Sequence, residues 1–318
     1  MKTNLSSALE TSGNEVLYDN AAKSILANKI IVSRILKQCV EEFKDLDLEY
    51  IENNCLNDSI DVSTKAVHQD HPDKVTQLNS ESSSIKEQTI YYDVKIRACI
   101  PQEKPINLII NFEIQKKDNP GYALVTRGIY YCSRMISEQY GTVFTKSNYQ
   151  DINKVYSIWI CPEPAKKREN NIQEYEIKES CVLGSQKADK KQYDLLRVII
   201  LYLTDKQSEK EIINLLNVLF SKENFEVKKE KLSKNFNIQM DETDPLGKEV
   251  SNMCNLSELL IEEGEARGIA KGRAEGRIES SRKILINMKK SGYSYEEMSK
   301  ITDIPIEEIK ELLTPVAV

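Results

Sequence analysis

Asp93 and Glu113 are the residues whose types and spacing most readily do chemistry in this 318-residue chain. They sit in two alternating runs, TIYYDVKIRACI (89–100) and INLIINFEIQKK (106–117), joined by PQEKP. Period-two alternation across a short connection predicts an antiparallel hairpin. With its turn centred near Glu103, Asp93 falls directly across from Glu113. Tyr91, Lys95, Arg97, Asn111 and Gln115 share that polar face. Ile90, Tyr92, Val94, Ile96, Ala98, Leu108, Ile110, Phe112 and Ile114 make the opposite, core face.

Two directly opposed carboxylates stand about 5 Å apart and repel. Three arrangements relieve the repulsion: protonation of one acid, a hard divalent cation shared by both, or the ammonium of Lys95 one pleat away. A register shift of two residues keeps both acids on this face and makes them diagonal. A metal here would lower the pKa of a bound water and neutralise charge growing on a phosphoryl centre. Gln115, two residues beyond Glu113, projects on the same face and can orient that water. The pattern is a candidate for metal-dependent phosphodiester hydrolysis, set against the plainer reading of a solvated outer face.

Other chemistry has little to work with. His68 and His71 are the two histidines. With Asp70 between them they have the spacing of metal ligands, but Pro72 and the polar surroundings favour an exposed turn. Seven scattered cysteines, without a C-x-x-C pair, indicate free thiols in a reducing cytosol. The N-terminus lacks an apolar signal core, and no run is long enough to span a membrane, so a cytoplasmic protein is expected. A net charge of −6 argues against non-specific coating of nucleic acid. It leaves room for a local basic groove from AKKREN (165–170), KADKK (187–191) or KKEK (228–231), each of which also reads as ordinary solvated surface.

The elements that must position the acids follow an α, β, β, α, β, β order. A helix is predicted over 18–43, with Asp19 at its N-terminal turn and Lys23 four residues on. Residues 52–88 read as loop. After the hairpin come a helix at 120–140 and strands at 154–161, 173–183 and 195–203, followed by helices at 207–220 and 224–235. This order predicts an α/β core with a mixed sheet flanked by helices, plus an α-helical C-terminal extension. Arg127 and Arg134 share one face of the 120–140 helix with Tyr130 and Tyr131 nearby, suited to phosphate contacts or to ion pairs with the sheet edge. Trp159 reads as a core residue.

Residues 239–256 read as a linker between a domain at 1–238 and a helix at 257–290. In that helix Gly264, Gly268, Gly272 and Gly276 recur every fourth residue. Each glycine costs a helix about 1 kcal/mol relative to Ala, so the stripe calls for a reason. Close approach of a second copy, giving a homo-oligomer, is one; a frayed linker is the other. Residues 291–318 have the proportions of a small helix-turn-helix, with Ser294 and Pro305 at the helix starts and Ile301, Ile304, Ile309 and Leu312 as contacts. Glu307, Glu308 and Glu311 make the last helix a poor match to DNA phosphates, so a packing unit competes with a DNA reader.

TIYYDVKI, LIINFEIQKK, GYALVTRGIYYCSRMIS and YQDINKVYSIWIC, with LYDNAAKSILANK upstream, together resemble the PD-(D/E)XK nuclease family transposases, relatives of the recombination-promoting nucleases. The resemblance spans residues 14–240 and extends to the glycine-repeat helix and tail. It implies a restriction-endonuclease-like core and Mg²⁺-dependent DNA hydrolysis, with Mn²⁺ as a substitute, linked to transposition or recombination. Asp93 matches the first motif acid and Glu113 the second, with the backbone carbonyl of Ile114 as a further metal ligand. Glu81 and Asp19 stand where similar proteins also carry acids. Tyr92 replaces the motif Pro, and Gln115 replaces the motif Lys, a substitution that brings no positive charge. Lys95 is the residue placed to compensate. Gln115 keeps a second expectation open, a DNA-binding or self-associating protein with a nuclease fold and little cleavage.

Overall fold

The computed structural model describes residues 4–56, 60–62, 81–82 and 90–314. His68 and His71 lie outside them. In chain order the elements are α1 (Asn4–Leu26), α2 (Lys29–Cys39), α3 (Leu48–Tyr50), β1 (Ile60–Val62), β2 (Glu81–Ser82), β3 (Ile90–Tyr91), β4 (Val94–Ile100), β5 (Ile106–Ile114) and α4 (Leu124–Ser137). They continue as β6 (Lys154–Cys161), β7 (Asn171–Glu176), β8 (Leu196–Tyr202), α5 (Glu211–Phe220), α6 (Phe225–Phe236), α7 (Pro245–Lys290), α8 (Tyr295–Thr302) and α9 (Ile306–Leu313). β2 pairs with β3 by themselves; the other strands form one sheet ordered β1-β4-β5-β6-β8-β7. Its centre is parallel, β5 with β6 and β6 with β8, and its flanking pairs are antiparallel. The mixed α/β sheet expected from the element order is present.

The parallel centre is covered on both faces, as parallel sheets require. On one face Ile25, Leu26, Ile31 and Ile35 of α1 and α2, with Leu215 and Leu216 of α5, pack on Val94, Ile110, Phe112 and Ile158. On the other, Tyr131, Cys132 and Met135 of α4 pack on Ile109, Val155, Trp159 and Val198. Trp159 is fully buried. α4 comes this close because of Gly128. A Cβ there would stand 2.5 Å from Val198 Cγ1 and 3.1 Å from Trp159 Nε1. Val198 is a β-branched side chain in the core and has no room to turn aside. Gly128→Ala should therefore cost about 1–3 kcal/mol by overpacking, read as a lower midpoint in urea unfolding. An unchanged midpoint would mean that α4 sits further from the sheet.

Several expected boundaries move. The helix expected over 18–43 is two helices. Asn28 breaks the chain by adopting an extended conformation and capping α2, its Oδ1 accepting from Ile30 N at 3.0 Å. Asp19 accordingly lies inside α1 and not at a helix start. The strand expected at 173–183 is β7, over before a long exposed loop in which Val182 and Leu183 are almost wholly solvated. Tyr92 leaves the expected face: a bend at Asp93 interrupts the alternation, and its ring meets Tyr131 edge-on at 5.4 Å.

Contacts divide the chain into residues 1–257 and 258–318. The stretch 239–256 is not a linker, because the first turns of α7 put Leu246, Val250 and Met253 into the main core. In the second unit, α8 starts with a capping box between Ser294 and Glu297, and α9 starts after Pro305, as the sequence indicated. Leu285, Met298 and Ile309 form the small core with Ile304 and Leu312 against it, whereas Ile301 is 62% exposed and takes no part. Among the described residues nothing lies within 4 Å of a Cβ placed at Gly264, Gly268, Gly272 or Gly276, so none of them calls for the missing Cβ atoms. Among the described residues no helix is long and apolar enough to cross a membrane.

Candidate functional site

β4 and β5 pair with Val94 opposite Phe112 and Lys95 opposite Asn111. This is the register set by a turn near Glu103, and its next step brings Asp93 to Glu113. The backbone ladder stops at Val94, and the two acids continue it with their side chains. Asp93 N donates to Glu113 Oε1 at 3.2 Å, while Ile114 N donates to Asp93 Oδ2 at 3.0 Å. Each carboxylate is held by an amide of the other's strand. Asn111 Nδ2 adds a second donor to Glu113 Oε1 at 3.1 Å. Its own Oδ1 is buried without a partner among the described residues.

Burial and mutual repulsion dominate the electrostatics. Glu113 is 3% exposed. Burial, then the charge of Asp93, pushes its carboxyl well above the usual carboxylate range, against the donors on Oε1 and the field of Arg127. Asp93 is raised too: burial outweighs Lys23 and the Ile114 amide. The pair thus holds a proton more readily than free acids do, although a cation beside it works against that shift.

One such cation is in contact. Lys23 Nζ of α1 lies 3.0 Å from Asp93 Oδ1 and 2.6 Å from Asp19 Oδ2. α1 thereby delivers two residues: Asp19, already singled out, and Lys23, known beforehand only as its neighbour one turn on. Lys95 is held elsewhere. It shares the face of Asn111, but its ammonium pairs with Glu138 at the end of α4 and lies 4.8 Å from the centre of the Tyr92 ring. Gln115 follows the last residue of β5, its backbone N bonded to Ile160 O at 2.9 Å and its side chain half-buried. Glu81 pairs in register with Tyr91, two residues before Asp93.

The two arginines of α4 separate. Arg127 Nε donates to Tyr131 Oη at 3.0 Å and Nη1 to Tyr122 Oη at 2.6 Å, with the guanidinium 5.1 Å from the Trp159 ring centre. It faces the Glu113 side and stays partly accessible. Arg134 is 6% exposed, and its neighbour Tyr130 points to solvent. Next to Glu113, the loops after β5 and β6 are tied together by Glu163 N to Lys116 O at 2.9 Å and Ala165 N to Asp118 Oδ1 at 3.1 Å. They present Lys116, Lys117, Lys166 and Lys167 to solvent.

Among the described residues no group of three or more His, Cys, Asp or Glu side chains converges to hold a metal ion. The donor set still fits Mg²⁺, which keeps several waters and takes only one or two protein carboxylates plus substrate phosphate. Asp93 and Glu113 would supply such a pair. Both donors to Glu113 converge on Oε1, leaving Oε2 for another partner. Comparison of the chain with protein-family models, with curated proteins and with solved structures returns no match.

Proposed function

We propose that the chain is a Mg²⁺-dependent DNA endonuclease linked to transposition or recombination, acting at Asp93 and Glu113. The observation that carries this reading is the reciprocal clasp of buried Glu113 in β5 with half-buried Asp93 just before β4, with a cation already drawn to Asp93. Burying two carboxylates together is costly and is kept where it serves a function. Asp93 and Glu113 would hold the ion, with the Ile114 carbonyl as a third ligand. Bound there, the metal would supply an activated water and charge neutralisation at the phosphate. Gln115 would orient that water by accepting and donating through its amide. Arg127 and the lysines of the two adjoining loops would bind the phosphate backbone beside the acids. The resemblance to PD-(D/E)XK nuclease family transposases supplies the DNA substrate and the link with transposition.

A second reading has its own support. Gln115 brings no charge, and Lys95 is paired with Glu138, so the cation that usually stands beside the scissile phosphate is missing from β5. A DNA-binding protein with a nuclease fold would tolerate both. Nicking of supercoiled plasmid separates the two readings. The full chain should nick with Mg²⁺ or Mn²⁺, stop with EDTA, and lose the activity in Glu113→Ala. Failure of the folded chain to cut single- or double-stranded DNA with either metal would leave the binding protein.

A further inference from the structure

We propose that Lys23 is a built-in competitor for the metal: its ammonium sits on the metal-facing oxygen of Asp93 and weakens divalent-ion binding there until it withdraws to Asp19. The inference rests on reading Asp93 and Glu113 as a metal pair.

The two oxygens of Asp93 differ in their partners. Oδ2 is taken by the amide of Ile114, which leaves Oδ1 as the oxygen a metal would use. Lys23 Nζ sits on that oxygen at 3.0 Å, with its side chain only 14% exposed. An ammonium hydrogen-bonded to Oδ1 holds a like charge about 4 Å from any divalent ion bound to the same oxygen and opposes it. Even with the ammonium displaced by a few ångströms, the two like charges repel.

The structure also provides the place to withdraw to. Asp19 lies one helical turn before Lys23, accepts from the same ammonium at 2.6 Å, and is 46% exposed. The i, i+4 spacing keeps the two in reach whatever Asp93 does. A lysine stem is flexible, so the ammonium can pivot to Asp19 with α1 staying packed. Among the described residues, the other cations nearest the pair are engaged elsewhere. The ammonium of Lys95 is committed to Glu138, and the guanidinium of Arg127 to the hydroxyls of Tyr131 and Tyr122.

Mn²⁺ binding to the full-length chain, followed by the EPR signal of the free ion, tests this without reference to cleavage. Lys23→Gln should bind Mn²⁺ about thirtyfold more tightly than the wild type, the effect of removing one charge at about 4 Å from a divalent ion even in the dielectric of water. Lys23→Arg, which keeps the charge, should stay within about twofold of the wild type. Asp19→Asn removes the alternative seat and should weaken Mn²⁺ binding; its half-exposed side chain makes it the variant least subject to folding losses. Equal or weaker binding by Lys23→Gln, or unchanged binding by Asp19→Asn, overturns the competition while leaving the metal pair standing. Absence of Asp93-dependent binding in both the wild type and Lys23→Gln overturns the metal pair itself, and the competition with it.

Discussion

Arg197→Met should destabilise the main unit by about 3–5 kcal/mol at pH 7.5, the cost of leaving the buried Asp194 without its main partner. Arg197 is 4% exposed and lies where β8 begins. Its Nε and Nη2 donate to Asp194 at 3.2 and 3.0 Å, Nη1 donates to Glu174 at 2.6 Å, and Nη2 also meets Glu41 and Glu176. Lys154 joins from β6, 2.7 Å from Asp194 and 3.0 Å from Glu42, while Tyr156 donates to Glu42 at 2.7 Å. Methionine fills the volume but leaves Asp194, itself 7% exposed, with Lys154 and, at 3.7 Å, the exposed Lys190 as its remaining cations.

The pH dependence gives the sign. In the wild type, burial raises the Asp194 carboxyl, but bonds from Arg197 and Lys154 outweigh it and hold the group below the usual range. A depressed carboxyl contributes stability above its unfolded pKa, lost as pH falls through the folded one. Without Arg197, burial gains the upper hand, so the variant should recover relative to the wild type as the pH drops from 7.5 towards 4. Thermal unfolding across that range checks it. A difference on the order of 10 °C is expected at pH 7.5 for a unit of this size. A difference that widens on acidification would show that Asp194 is not the group at stake. The effect reaches the candidate site, since Glu41 and Glu42 follow α2 directly and fix on the sheet the helix pair that carries Asp19 and Lys23.

The hairpin register was legible in the sequence because two independent constraints agreed. Val94, Ile96, Leu108, Ile110 and Phe112 had to share a face, and the short PQEKP connection admitted few turns. Asp93 and Glu113 followed from that alone. Lys23 was not legible as a member of the site, for a physical reason. Its reach to Asp93 depends on how α1 packs across the sheet, and helix packing leaves no periodic mark at position 23 beyond the pairing with Asp19. Lys95, on the expected face, was drawn away by Glu138, whose position the strand pattern cannot contain. Tyr92 and residues 239–256 failed for the reverse reason. Each followed a local pattern, alternation in one case and polar composition in the other, that tertiary packing overrode.

Glu113→Gln should move activity and stability in opposite directions. A metal ligand matters more than the residues that merely orient ligands, whose loss already costs about 10–100-fold, so nicking should fall at least about 10²-fold. Stability should rise. Gln keeps an oxygen for the donors Asp93 N and Asn111 Nδ2, so the clasp survives while the charge beside Asp93 disappears. The sign follows from the direction in which Glu113 is shifted. A carboxyl raised well above its unfolded value by burial and by Asp93 loses stability as pH rises from the unfolded pKa towards the folded one. In EDTA, the melting temperatures of variant and wild type should therefore converge near pH 4.5 and separate, variant higher, towards neutral pH. Mg²⁺ should then narrow the gap, because an ion bound only by the native wild type stabilises it by mass action and does little for the variant. A variant less stable than the wild type at neutral pH in EDTA would mean that the Glu113 carboxylate is already compensated within the fold. The energetic case for a cation site at the end of β5 would then fail, whatever the nicking assay reads.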